Sequence, residues 1–115
     1  MATVNLDKRQ YPRFNTVVSL QYSALTKYNY LTKIKRSLTQ NISEGGISFS
    51  TGDYIRELSP LNLLISLHDS PLKAEGQVVW TRKLKNRKIE TYQVGVKFTN
   101  IDPYSRAKIA KLEWS

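Results

Sequence analysis

Leu61, Leu63, Ile65 and Leu67 alternate with Asn62, Leu64 and Ser66 in the most regular two-residue period of the chain. Such a period sends successive side chains to opposite faces, so the stretch predicts a strand with one face against an apolar core. The same period recurs on either side. Phe14, Val18, Leu20 and Tyr22 share a parity over 14–22, as do Ile34, Leu38 and Ile42 over 31–42, and Ile47 and Phe49 over 46–50. Further on, Leu72, Ala74, Gly76, Val78 and Trp80 share one over 72–82, and Tyr92, Val94, Val96 and Phe98 over 89–98. Strands in this number, joined by short polar turns, predict a six-stranded antiparallel β-barrel, closed so that no strand edge is left unpaired. Asp102 followed by Pro103 has the form of a helix start, an acceptor at the N-cap and proline at the first helical position, and predicts a terminal helix whose apolar residues, from Tyr104 to Trp114, spread too widely to fix its docking face.

At 115 residues the chain has room for one domain, expected to bury roughly two-thirds of the surface its unfolded form exposes. Eighteen Lys and Arg against nine Asp and Glu give a formal charge of +9. That excess favours anionic partners, whether nucleotide, nucleic acid or acidic lipid. The absence of cysteine excludes disulfides and thiol nucleophiles and fits a reducing cytoplasm, the expected location. No apolar run is long enough to span a bilayer, and the N-terminus lacks a basic segment followed by an apolar one. With one histidine and no cysteine, most metal-ligand sets and nucleophile–base pairs cannot be assembled. The expected activity is binding without catalysis, and no cofactor is expected.

Two motifs fall outside the strand pattern. Asn41-Ile42-Ser43-Glu44-Gly45-Gly46 is a polar turn offering an amide, a hydroxyl and bare backbone, and Gly is the residue that supplies a positive φ where a turn needs one. Arg9-Gln10-Tyr11-Pro12-Arg13 is an RxxxR on a segment poor in apolar anchors, which Pro12 keeps from being helical. Either alone is more often plain turn chemistry or solvated arginine. Together they resemble the PilZ domain, the bacterial receptor module for cyclic di-GMP. Arg9 and Arg13 match its two arginines, and Asn41, Ser43 and Gly46 match the fixed places of its [D/N]xSxxG motif. Gly76 with Trp80, and the run Gly95-Val96-Lys97-Phe98, fit further features of that family.

The resemblance implies a PilZ-type barrel over 14–115 with a C-terminal helix, and a flexible arm over 1–13 carrying the arginines. It further implies a cyclic di-GMP site made of Lys8, Arg9, Arg13, Asn41, Ser43, Gly45 and Gly46. An arginine fork matches the O6 and N7 acceptors of guanine, while Asn41 and Ser43 would meet the base from the other side. Asn41 stands where the family more often has Asp, and one acceptor oxygen in place of two predicts weaker binding. A protein effector partner is expected to receive the signal, with the basic run Lys83, Lys85, Arg87 and Lys88 and the terminal helix as candidate surfaces. Two alternatives are a nucleic-acid-binding basic barrel, using Tyr28 and Tyr30 to stack bases, and a PilZ-like adaptor that binds only protein. The first lacks an aromatic-rich strand pair, and the retained motif residues count against the second.

Overall fold

The computed structural model describes residues 17–24, 33–67 and 70–111. Its elements are β1 (Ser19–Ala24), β2 (Lys35–Ser43), β3 (Gly46–Thr51), β4 (Pro60–Leu67), β5 (Ser70–Lys83), β6 (Tyr92–Asn100) and α1 (Pro103–Ala110). The strands close into a barrel in the order β1-β2-β3-β6-β5-β4, every neighbouring pair antiparallel. Closure comes from β1 and β4, which pair from Leu20↔Ile65 to Ala24↔Leu61. The six-stranded barrel with one C-terminal helix is the fold expected from the alternation.

The inward parity fills the barrel. Leu20, Ile42, Phe49, Leu61, Ile65, Leu67, Val78 and Val94 are all but inaccessible, and Tyr22 packs its ring on Phe49 with centroids 4.7 Å apart. The polar connection after β3 also contributes, since Ile55 is buried and its carbonyl accepts from the Thr81 hydroxyl. In α1, Ser105 and Ile109 are buried one turn apart, which fixes the docking face that the sequence left open.

Two expectations about parity fail, and for one reason. Register shifts between Thr39 and Asn41 and between Val78 and Trp80 each insert an extra residue into one strand. A bulge of this kind reverses the in/out assignment beyond it. In β2, Ile42 therefore faces the core, but the next inward residue is Thr39 at 1% exposure, while Leu38 and Ile34 are 55% and 69% exposed. In β5, Val78 faces in, and the bulge at Val79 sends Trp80 to the outer face.

Turn chemistry also departs from expectation. No described glycine has a positive φ; Leu58 and Asn86 hold that conformation instead. Gly46 is required by packing, because an added Cβ would lie 2.0 Å from the Val96 carbonyl oxygen on the neighbouring strand. The expected N-cap is present: the Ser105 N–H donates to Asp102 Oδ1 at 2.8 Å and its hydroxyl to Oδ2 at 2.9 Å. The described helix reaches Ala110 with Lys111 as C-cap; residues 112–115, Tyr28, Tyr30 and the whole 1–13 arm lie outside the described residues. Among the described residues no helix is long and apolar enough to cross a membrane.

Gly46→Ala is expected to lower the urea unfolding free energy by about 1–3 kcal/mol through overpacking. Gly52→Ala is the control: its added Cβ would come no nearer than 3.9 Å to the Glu90 carbonyl, and it should move stability by less than about 0.5 kcal/mol. The donors from Ser105, its backbone N–H first and then its hydroxyl, hold the Asp102 carboxyl below the usual carboxylate range. A folded pKa below the unfolded one means that the cap stabilises above about pH 4 and that this is lost as pH falls through the lower folded value. Thermal unfolding of wild type and Asp102→Ala should therefore differ at neutral pH and converge in acid.

Candidate functional site

The Asn41–Gly46 motif is a tight hairpin. Ser43 pairs with Gly46, leaving only Glu44 and Gly45 at the tip, and the Ser43 hydroxyl accepts from the Gly45 N–H at 3.1 Å. The Gly45 carbonyl accepts from the Phe98 N–H at 2.8 Å, which ties the tip to β6. Ser43 and Gly45 are thus already engaged in closing the turn. Asn41 is different: it is half-buried, and its amide makes no hydrogen bond with another described residue. Its donor and acceptor are both available to a ligand.

Register places these residues on the outer face of the barrel. Ile42 and Ile47 are a paired inward couple, so Asn41 and Ser43 on β2, with Ser48 on β3, face the other way. Ser48 pairs onward with Gly95, and Gly95 with Trp80. One row therefore crosses four strands as Asn41, Ser48, Gly95 and Trp80. At about 4.8 Å per strand, its ends stand roughly 14 Å apart. Between them lie a serine and a glycine. The Trp80 ring rests on the bare Gly95 backbone, where an added Cβ would lie 2.2 Å from ring atoms Cε2 and Nε1.

A second row runs beside the first as a chain of hydrogen bonds. Arg82 donates to Gln93 Oε1 at 2.9 Å, Gln93 donates to Gln40, and Gln40 donates to the Ser50 hydroxyl at 2.8 Å. The Arg82 guanidinium also sits 5.4 Å from the centre of the Trp80 ring. This face therefore offers a carboxamide at one side, an aromatic plane under a cation at the other, and small residues between. Ser48 adds a buried hydroxyl without a partner among the described residues. Such a set can hold a flat, hydrogen-bonding heterocycle with an anionic portion.

Of the expected site residues, Asn41, Ser43, Gly45 and Gly46 lie together at one end of this face, while Lys8, Arg9 and Arg13 lie outside the described residues. Ser48, Trp80, Arg82 and Gln93 were missed as members of the face. The strand alternation hid Trp80, because only the bulge at Val79 turns it outward. A cavity of about 590 Å³ opens on the far side of the barrel, lined by Gln21, Asn62, Lys73, Glu75, Asn100 and Asp102. It contains none of the motif. Among the described residues no group of His, Cys, Asp and Glu could hold a metal ion.

A family model described as PilZ domain matches residues 7–112. No curated protein matches by sequence. Among solved structures, the inhibitor of motility MotI/DgrA of Bacillus subtilis is 20% identical with a TM-score of 0.75, over 94% of this chain and 49% of that one. The PilZ domain of YcgR from Escherichia coli, solved with c-di-GMP, is 17% identical with a TM-score of 0.68, over 94% and 90%. The MrkH–c-di-GMP complex of K. pneumonia is 16% identical with a TM-score of 0.72, over 94% and 52%. The chain thus spans about half the length of MotI/DgrA and of MrkH.

If the Trp80 ring occupies the space above Gly95, Gly95→Ala must displace it. The Trp80 indole N–H resonance is expected to shift in that variant, while the methyls of Val94 and Val96, on the core side, keep theirs.

Proposed function

We propose, for a chain that belongs to the PilZ domain family, that it is a receptor for cyclic di-GMP and binds it on the outer face of β2, β3, β6 and β5. The observation that carries this reading is the row of Asn41, Ser48, Gly95 and Trp80, with the Ser43–Gly46 turn at its edge. A guanine lying along the row would meet the free Asn41 amide at its hydrogen-bonding edge. Trp80 and Arg82 would bound its far side. Structural neighbours solved with c-di-GMP, among them the YcgR domain and MrkH, support the ligand's identity.

Arg9 and Arg13 are the proposed second half of the site. Each presents a planar fork suited to guanine O6 and N7 or to a phosphate, and Lys8 adds a third cation. They precede the barrel in the chain and their partners are on it, so ligand would draw the N-terminal segment onto the sheet. The resulting change of surface is what a protein effector would read.

Isothermal titration with cyclic di-GMP tests the assignment. Each bidentate arginine contact is worth about 1–3 kcal/mol, so Arg13→Ala should weaken binding about tenfold or more. Asn41→Ala is expected to weaken it as well. Asn41→Asp should tighten it, because two acceptor oxygens can serve the N1 and N2 protons of guanine where one now does. Heats in Arg13→Ala and Asn41→Ala identical to wild type would remove both residues from the site.

A further inference from the structure

The β5–β6 hairpin carries a feature that the nucleotide reading does not use. β4 pairs with β5 no further than Gln77, whereas β5 continues to Lys83 against β6. Past Gln77 the 55–59 segment still flanks β5, the Leu58 N–H donating to the Val78 carbonyl and the Thr81 hydroxyl to the Ile55 carbonyl, and β3 flanks β6 as far as Tyr92, so what projects beyond its neighbours is a short arm over 84–91. Its tip is held in one shape: the Leu84 N–H donates to the Thr91 carbonyl at 2.8 Å, the Thr91 hydroxyl donates to the Ile89 carbonyl at 2.8 Å, and Asn86 turns the chain at φ 61°.

Lys83, Lys85, Arg87 and Lys88 crowd this tip, and its one acid is Glu90. Glu90 is occupied, accepting from the Tyr92 hydroxyl at 2.6 Å and pairing with Lys83 at 3.5 Å. Lys85, Arg87 and Lys88 have no acidic partner among the described residues and are exposed. Beside them Ile89 is 78% exposed, more than any other large apolar side chain described. Tyr54, 62% exposed, stands at the root of the arm with its ring edge-on to Tyr92 at 5.6 Å.

We propose that this tip docks the protein on an anionic lipid bilayer, Ile89 entering the acyl boundary while Lys85, Arg87 and Lys88 lie among the headgroups. The shape and chemistry favour lipid over the other polyanions. A projecting tip can press into a fluid surface, whereas a protein partner would need a matching concavity. Residues 83–91 include no aromatic side chain on which a base could stack, so nucleic acid is poorly served. An aliphatic side chain ringed by cations suits the interface between headgroups and acyl chains, and a tyrosine further back suits the headgroup level. The surface lies at the barrel end away from the Ser43–Gly46 turn, since β3 runs from Gly46 to a Thr51 that pairs with Tyr92 at the arm's root. The inference is independent of the nucleotide site.

Co-sedimentation of the full chain with phosphatidylcholine vesicles, with and without phosphatidylserine, tests it. Wild type is expected to pellet with the phosphatidylserine vesicles alone and to be released by salt. Each cation near such a surface contributes about a fivefold factor, so Lys85→Glu/Lys88→Glu should weaken binding by about twenty-five-fold or more. Lys73→Glu/Lys111→Glu, equal in charge but elsewhere, should weaken it far less. Ile89→Ser should lose affinity several-fold at an unchanged salt dependence, a result that long-range attraction alone would not give. Circular dichroism checks folding, and if the double variant does not fold, Ile89→Ser and the wild-type salt series decide. The proposal is overturned if wild type ignores both vesicle types or binds them equally, or if the two double variants behave alike. It is likewise overturned if Ile89→Ser binds as wild type, or if the tip substitutions abolish binding of polyglutamate or an oligonucleotide but not of vesicles.

Discussion

The pairing of β1 with β4 is the constraint from which the rest of the molecule follows. Without the ladder from Leu20↔Ile65 to Ala24↔Leu61, the sheet would be open, with two strands offering unpaired amides and carbonyls. Closure satisfies those groups and at the same time divides every strand into a core side and an outer side. The core side is spent on packing, with Phe49, Ile42, Ile65 and Val94 fully buried. Whatever the protein binds must be recognised by the outer side or by the ends. A barrel this narrow has its interior filled by side chains, so none of its chemistry can be inside.

Closure also explains what could be read from the sequence. A face buried along its whole length imposes strict alternation, and β4 shows it: Leu61, Leu63, Ile65 and Leu67 are buried while Asn62 and Ser66 are exposed. The strand count, the closed topology and the Asp102 cap were legible for that reason. The alternation misleads at Leu38 and Trp80, where one inserted residue shifts the register. A bulge leaves no trace in a hydrophobic pattern when the residue it turns outward is itself apolar. Leu38 and Trp80 are both of that kind. Thr39, at 1% exposure, is the complementary case of a polar residue turned in, its hydroxyl accepting from the Val18 N–H at 3.1 Å.

The [D/N]xSxxG motif was legible as a unit, but its residues divide by role once the hairpin is formed. Gly46 answers to the Val96 carbonyl, and Ser43 and Gly45 close the turn and tie it to β6. These three make the platform. Of the motif's fixed places Asn41 alone offers a side chain unengaged by the described residues, and its two neighbours across the sheet are a serine and a glycine. The motif's spacing is therefore set largely by the architecture of a two-residue hairpin, and its chemistry by one position. That is why a turn-forming reading and a ligand-binding reading of the same six residues are compatible.

The bulges are what convert a plain barrel wall into a face with chemistry. The shift after Thr39 brings Gln40 into line with Ser50, and the shift at Val79 brings Trp80 over Gly95 and Arg82 within reach of Gln93. Were the same sequence paired without its bulges, the parity beyond each would reverse, which would push Trp80 toward the core or turn the Gln40 amide away from its partners. The same two insertions thus lay the hydrogen-bonded chain from Gln40 to Arg82 alongside the row from Asn41 to Trp80. Arg82 belongs to both, through its bond to Gln93 and its place over the indole, and it immediately precedes the Lys83 at which the projecting arm leaves the barrel. A change in how Trp80 packs on Gly95 would be felt first at Arg82, and Arg82 is the last side chain of that face before the arm begins.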